Sequence, residues 1–346
     1  MYGPNNLMQQ EVIELHFVYT AITPVVVAML AYPPYIRLMQ RLSWGQEIRP
    51  EGPQDHMSKR GTPTMGGAVL LCSFLVALLW SGLPSPTLLV FVMFVAAHAV
   101  LGFFDDWTQV KKKRSLGLKA RQKLAVQVLL GAALACFAST APGQHARVWL
   151  PWIGWVDNVW FVYSFIIFIT TGFSNAVNLT DGLDGLAGGT VALAALAYVP
   201  ICLLQGQVQL ALACVALIGA CAGFLWFNCF PARIFMGDTG SLALGSALGA
   251  LAVLTHTEML LVLIGGVFVM EASSVMIQVA YFKMTGGKRV FLMSPIHHHF
   301  CKKGLHEVQV TTRLWIMGFV LALLGVCAYL AGCFGSTGGP DSWRLG

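Results

Sequence analysis

The stretch FFDDW sets Asp105 and Asp106 side by side at the end of a long apolar run, and Lys111, Lys112, Lys113 and Arg114 follow within a few residues. Two carboxylates about 4 Å apart repel by about 4 kcal/mol at an effective dielectric of about 20. A helix C-terminus adds about 0.3–1 kcal/mol against each of them. Something positive must offset this. Either the basic loop neutralises the helix end, or the pair holds a hard divalent cation such as Mg2+, which takes one or two carboxylates together with phosphate oxygens and water.

Two further motifs carry acids. In NAVNLTDGLDGLAGG, Asp181 and Asp184 are interleaved with Gly182, Gly185, Gly188 and Gly189, a composition that predicts a tight loop entering a helix. Such a loop brings backbone N–H groups, the Asn178 amide and carboxylates close to a phosphate or nucleotide. The alternative is plain capping of the next helix by Asn178, Thr180 or Asp181. FNCFPARIFMGDTGSLALG repeats the design: Pro231 breaks one helix, Phe235 offers an aromatic face, and Gly237-Asp238-Thr239-Gly240 opens the next. Five of the eight aspartates fall in these three motifs.

The last chemical signal is PIHHHF, with His297, His298 and His299 consecutive inside a basic loop. Consecutive side chains diverge on any regular backbone, so one metal taking all three is not expected. Histidine can donate to phosphate, shuttle a proton or ligate a metal. His16, His98, His145 and His256 are isolated and read as structural or interfacial.

What must position these residues is a set of membrane helices. The chain is 57% hydrophobic and only 10% charged, with a mean hydropathy of +0.71. A soluble domain carries about 25% charged residues. Roughly 20 apolar residues span a bilayer as a helix, because lipid offers the backbone no hydrogen-bond partners. Ten such stretches are expected, near 17–37, 62–82, 86–106, 121–139, 156–177, 185–204, 208–227, 238–255, 258–282 and 313–335; that near 238–255 is short and Gly-rich. With the N-terminus outside, 21 Lys and Arg sort cleanly: all but Arg147 and Arg344 fall in cytoplasmic loops or at their edges. The expectation is an all-α polytopic membrane protein with both termini periplasmic. All three acidic motifs then lie at cytoplasmic helix ends.

The nine cysteines form no C-x-x-C pair and read as small core hydrophobes rather than disulfides or metal ligands. The N-terminal MYGPNNLMQQEVIELHF lacks the basic start and cleavage site of a signal peptide, so it is expected to be retained. Without a repeat, linker or composition shift, residues 1–346 read as one membrane domain.

GTPTMGG (61–67), DDW with its basic loop, NAVNLTDGLDGLAGG (175–189), WFNCFPARIFMGDTGSLALG (226–245), GGVFVMEASSVMIQV (265–279) and PIHHHF (295–300) together resemble the phospho-N-acetylmuramoyl-pentapeptide transferase family. This family lies within the polyprenyl-phosphate N-acetylhexosamine-1-phosphate transferases. The resemblance implies a ten-helix, homodimeric enzyme of the bacterial inner membrane that uses Mg2+ at a cytoplasmic cleft. It implies transfer of phospho-MurNAc-pentapeptide from UDP-MurNAc-pentapeptide to undecaprenyl phosphate, giving lipid I and UMP in peptidoglycan synthesis. No nucleic-acid partner is expected.

On the family pattern, Asp105, Asp106, Asp238 and His298 fall at catalytic positions, and Asp238, Asp105 and Asp106 at the metal. Lys59, Thr64, Lys113, Lys123, Asn178, Asp181, Asp184, Asn228, Phe235, His297 and His299 fall at substrate-binding positions. One departure stands out. The family often reads D-D-x-x-K, whereas the position of that lysine is Gln109 here, so Lys111, Lys112 or Lys113 would have to reach the same space.

Two rivals share parts of this pattern. A GlcNAc-1-phosphate transferase would have the same acidic motifs but a different last loop. A transporter is the other class; it would place ionisable groups near the bilayer midplane, and only Glu271, expected deep in a helix, fits that.

Overall fold

The computed structural model describes residues 4–42, 44–45, 61–82, 84–112, 117–140 and 147–332. Lys59 and Lys113 therefore lie outside the described residues. Twelve α-helices run in chain order: α1 Pro4–Arg41, α2 Gly67–Ala77, α3 Pro86–Lys112, α4 Ala120–Thr140, α5 Val159–Thr180, α6 Leu186–Leu204, α7 Val208–Asn228, α8 Gly237–Leu254, α9 Glu258–Ile264, α10 Gly266–Met284, α11 Ile296–Lys302 and α12 Glu307–Leu330. A two-stranded hairpin, β1 Val148–Leu150 and β2 Gly154–Val156, precedes α5. Nine of the described helices are long and apolar enough to cross a membrane.

Two expected spans differ from what is observed. The stretch expected over 62–82 is helical only from Gly67, and after Ala77 it tightens into a 3-10 turn over Leu78–Ser81. The residues before Gly67 stay out of the helix because they pair laterally: Phe235 N donates to the Pro63 carbonyl, and Gly66 and Gly67 donate to the carbonyls of Phe235 and Met236. Tyr32 and Tyr35 of α1 hold the same segment by hydroxyl bonds to the Gly66 and Met65 carbonyls, at 2.8 and 3.0 Å. The stretch expected over 258–282 is broken at Gly265 into α9 and α10.

Helix α8 is the centre of the molecule, with 89% of its apolar window buried. Its glycines explain how so short a helix is surrounded. A side chain on Gly240 would meet Gly67 of α2, one on Gly245 the Ser174 backbone of α5, and one on Gly249 the Thr170 backbone. Gly102 of α3 does the reverse service, since a Cβ there would collide with the Asp238 carbonyl. Small residues let helix backbones approach where lipid gives no hydrophobic drive for association. Leu30, Leu129, Phe168 and Trp226 point outward at about 70% exposure, as expected of a lipid-facing surface.

No disulfide joins the described cysteines, and only Cys202, Cys214 and Cys221 are buried. Cys72, Cys136, Cys229 and Cys327 are exposed, which corrects the expectation that they fill the core. In a membrane protein an outward helix face is itself apolar, so hydrophobicity alone does not mark the interior.

Candidate active site

The ends of α3, α5 and α7 and the starts of α4, α8 and α12 meet at one end of the bundle, with α11 beside them. Asp105 and Asp106 close α3 together, yet they face different helices, because successive residues on a helix point about 100° apart. The side-by-side repulsion expected from the sequence is thereby divided between two partners.

Asp106 reaches the first turn of α8. One carboxylate oxygen accepts from Asp238 N at 2.9 Å, and the other accepts from Thr239 N at 2.9 Å and the Thr239 hydroxyl at 2.6 Å. Helix α8 has no capping side chain of its own. Asp106 supplies that cap from α3, and its negative charge sits on the positive end of the α8 dipole. Gly237, at φ 75°, makes the approach possible: a Cβ there would stand 2.6 Å from an Asp106 oxygen.

Asp105 turns towards α4. It accepts from Leu118 N at 2.7 Å and from the Gln109 side-chain amide at 2.6 Å. Lys123, one turn into α4, lies 3.5 Å from Asp105 and 2.9 Å from Asp238, so a single ammonium bridges carboxylates from two helices. The second Asp238 oxygen accepts from Asn178 Nδ2 at 2.8 Å, and the same amide also reaches Ser241 Oγ at 2.8 Å. Asp105 is buried, whereas the Asp238 side chain keeps 18% exposure.

The loop between α5 and α6 lies against this cluster. Asp181 is half-buried there, and burial together with the negative Asp238, Asp106 and Asp184 pushes its carboxyl up to about 8. Asp184 and Asn228 are buried and act as clasps. Asp184 accepts from Ala232 N at 2.9 Å. Asn228 accepts from Gly185 N at 3.0 Å and donates to the Ile234 carbonyl at 2.8 Å. Both side chains thus tie the Asp181–Gly185 loop to the segment that precedes α8. Thr64 is buried in the paired segment before α2, and its N–H donates to the Trp44 carbonyl. Phe235 binds that segment through its backbone.

The three histidines of α11 have different surroundings. His297 is fully buried, with Nδ1 2.9 Å from Glu271 of α10. His298 is half-buried, its ring 4.2 Å from that of His297. His299 accepts from Leu292 N through Nδ1 at 3.1 Å, and burial and the neighbouring Lys303 lower its pKa. Gln278 of α10 holds the approach to α11 by accepting from Val290 N and Phe291 N.

Lys111 does not reach towards the acids. It lies over the Trp107 ring at 4.8 Å, and Lys112 is exposed. The cation beside the paired acids is Lys123. Sequence reasoning missed the contacts by which Gln109, Leu118 and Thr239 hold the carboxylates; Glu271 is buried within α10 as expected, and its contact with α11 was not foreseen. Gly237-Asp238-Thr239-Gly240 was legible as the opening of α8; that Asp106 of α3 caps it was not, because the partner lies on another helix.

Residues 88–256 match a family described as glycosyl transferase family 4. The chain is 42% identical over 332 residues to the phospho-N-acetylmuramoyl-pentapeptide-transferase of Desulfotalea psychrophila, covering 91% of this chain and 92% of that one. The transferase of the same name from Geobacillus thermodenitrificans is 47% identical over 307 residues, covering 87% and 94%. That from Citrifermentans bemidjiense is 43% identical over 328 residues, covering 89% and 91%. Likeness of this extent takes in every acidic motif and both helices that flank each one, and the chain belongs to the phospho-N-acetylmuramoyl-pentapeptide-transferase family.

Proposed function

We propose that this multi-pass membrane protein transfers phospho-MurNAc-pentapeptide from UDP-MurNAc-pentapeptide to undecaprenyl phosphate at the cytoplasmic face of the bacterial inner membrane. An oxygen of the lipid phosphate attacks the sugar-bearing phosphorus of the pyrophosphate, the bond to the bridging oxygen breaks, and UMP leaves. Lipid I is the product. On the family resemblance alone, the working form is a homodimer.

The observation that carries this reading is Lys123 lying between Asp105 and Asp238, with Asn178 on the far oxygen of Asp238. The reaction gathers phosphate charges at one point, so its residues must hold cations and fix geometry. The donor set suits Mg2+. Asp105 and Asp238 offer hard oxygens already within reach of one shared cation, and among the described residues no group of three or more His, Cys, Asp and Glu could hold a metal ion by itself. Such an open site leaves room for phosphate oxygens and water. When bound, the ion supplies positive charge against the pyrophosphate and orients its oxygens.

The remaining work falls to this chain. Asp238 and Asp105 would hold the ion, Asp106 fixes the start of α8 that carries Asp238, and Lys123 balances charge as phosphates enter. Asp181, Asn178 and the glycine-rich loop face the nucleotide and phosphates, and His298 and His299 lie on the substrate side of α11. The lipid phosphate, with a second pKa of about 6, is largely dianionic at neutral pH and needs little deprotonation. Asp105 therefore orients the nucleophile and takes up a residual proton rather than acting as an obligatory base.

The test is UMP release by the detergent-solubilised protein. Release should require UDP-MurNAc-pentapeptide, undecaprenyl phosphate and Mg2+ together, and UDP-GlcNAc should not substitute. Turnover of UDP-GlcNAc would move the protein to the sister activity. A stoichiometric burst of UMP without lipid phosphate would replace direct displacement by a phospho-enzyme.

A further inference from the structure

Glu271 and His297 are both fully buried, and neither is accounted for by the chemistry above. The His297 ring nitrogen Nδ1 lies 2.9 Å from a Glu271 oxygen, and the His297 backbone N–H reaches the same oxygen at 3.4 Å. Nε2, on the far side of the ring, has no hydrogen-bond partner among the described residues, nor has the other Glu271 oxygen. Its direction is nevertheless fixed. A Cβ on Gly182 would collide with Nε2, so the imidazole is pressed against the backbone of the loop that carries Asp181 and Asp184.

The Glu271 oxygen beside Nδ1 also accepts from the His297 backbone N–H, so it is the acceptor there and the proton belongs on Nδ1. This sets the tautomer and the ring plane at once, as a carboxylate does behind a metal-bound histidine. From these contacts we infer that Glu271 is a positioning residue. Through Nδ1 it locks the His297 ring, so that Nε2 stays aimed at the Asp181–Asp184 loop and α11 presents His298 and His299 to the substrate at a fixed angle. Gly182 is the other half of the device, because only a residue without a side chain lets the ring come so close.

This inference rests on the proposed function for its kinetic half only. Full-length protein in detergent, carrying ring-15N histidine, is compared as wild type, Glu271→Gln, His297→Gln and the double variant. The signal missing from His297→Gln identifies the ring. In wild type its Nδ1 should fall in the protonated range, and Glu271→Gln should shift it. An Nδ1 signal unmoved by Glu271→Gln overturns the inference.

In the UMP-release assay, Glu271→Gln should lower kcat by about fivefold or more while KM stays within about threefold. The double variant should be no worse than His297→Gln, since residues acting as a unit do not add. A smaller loss of kcat, or losses that multiply in the double variant, likewise contradicts it. Should Glu271→Gln fail to fold, Glu271→Asp runs the same cycle, its shorter side chain pulling the carboxylate from Nδ1. A wild type that releases no UMP counts against the proposed function, while the nitrogen shifts still decide the role of Glu271.

Discussion

Asp105 and Asp106 are neighbours in the chain with separate tasks: one carboxylate shares a cation with Asp238, and the other caps the helix on which Asp238 stands. Asp181 has a third environment, in which burial and three negative neighbours raise it to about 8. The folded protein thus keeps a proton on Asp181 that the unfolded chain gives up near its ordinary value of 3.8. With more protons bound in the folded state, stability falls as pH rises between about 4 and 8 and levels off above that. Asn at this position cannot ionise. In EDTA, the Tm of Asp181→Asn should therefore exceed that of wild type by a margin that grows from pH 5.5 to pH 8 and then stops growing. A margin independent of pH would show that Asp181 carries no such proton.

At the scale of elements, the site depends on how closely α3 approaches α8. Gly102 leaves no room for a side chain against the Asp238 carbonyl. Gly102→Val should push the helices apart, cost about 1–3 kcal/mol of stability as overpacking does, and sharply reduce UMP release by separating Asp105 from Asp238. Gly172 of α5 has open space around it, and Gly172→Ala should be neutral or stabilise by up to about 1 kcal/mol with activity retained. Thermal melts and turnover of the two variants check the contrast. The acidic motifs were legible in the sequence because Asp is poorly explained by topology at an apolar helix end. The assignment of each carboxylate was not, since at a helix terminus the partner helix decides which side chain is used. The same limit applies to 238–255, where short and Gly-rich in sequence turned out to mean central and tightly enclosed.

For the whole molecule, the described acids of the site and most of the described Lys and Arg gather at one end of the bundle. Arg147 lies with the β1–β2 hairpin, over the Trp155 ring at 4.2 Å. Long apolar helices were readable from composition; the break at Gly265 was not, because its one mark, Gly265-Gly266, sits in a continuous apolar run and glycine is common in membrane helices. We propose, from the positive-inside rule, that the acid end is cytoplasmic. In intact cells, a membrane-impermeant thiol reagent should label Trp152→Cys above the parent protein and leave Lys288→Cys at the parent level. The reverse pattern would invert the molecule and remove the site from the compartment that holds UDP-sugars.

The central claim is that carboxylates on α3 and α8 hold one catalytic cation between them. Mn2+ binding followed by electron paramagnetic resonance in detergent, with Mg2+ as competitor, tests it most directly. The account predicts one Mg2+-displaceable site in the wild type, weakened by about tenfold or more in both Asp105→Asn and Asp238→Asn while the Tm stays close to that of the wild type. Unchanged affinity in either variant would contradict it.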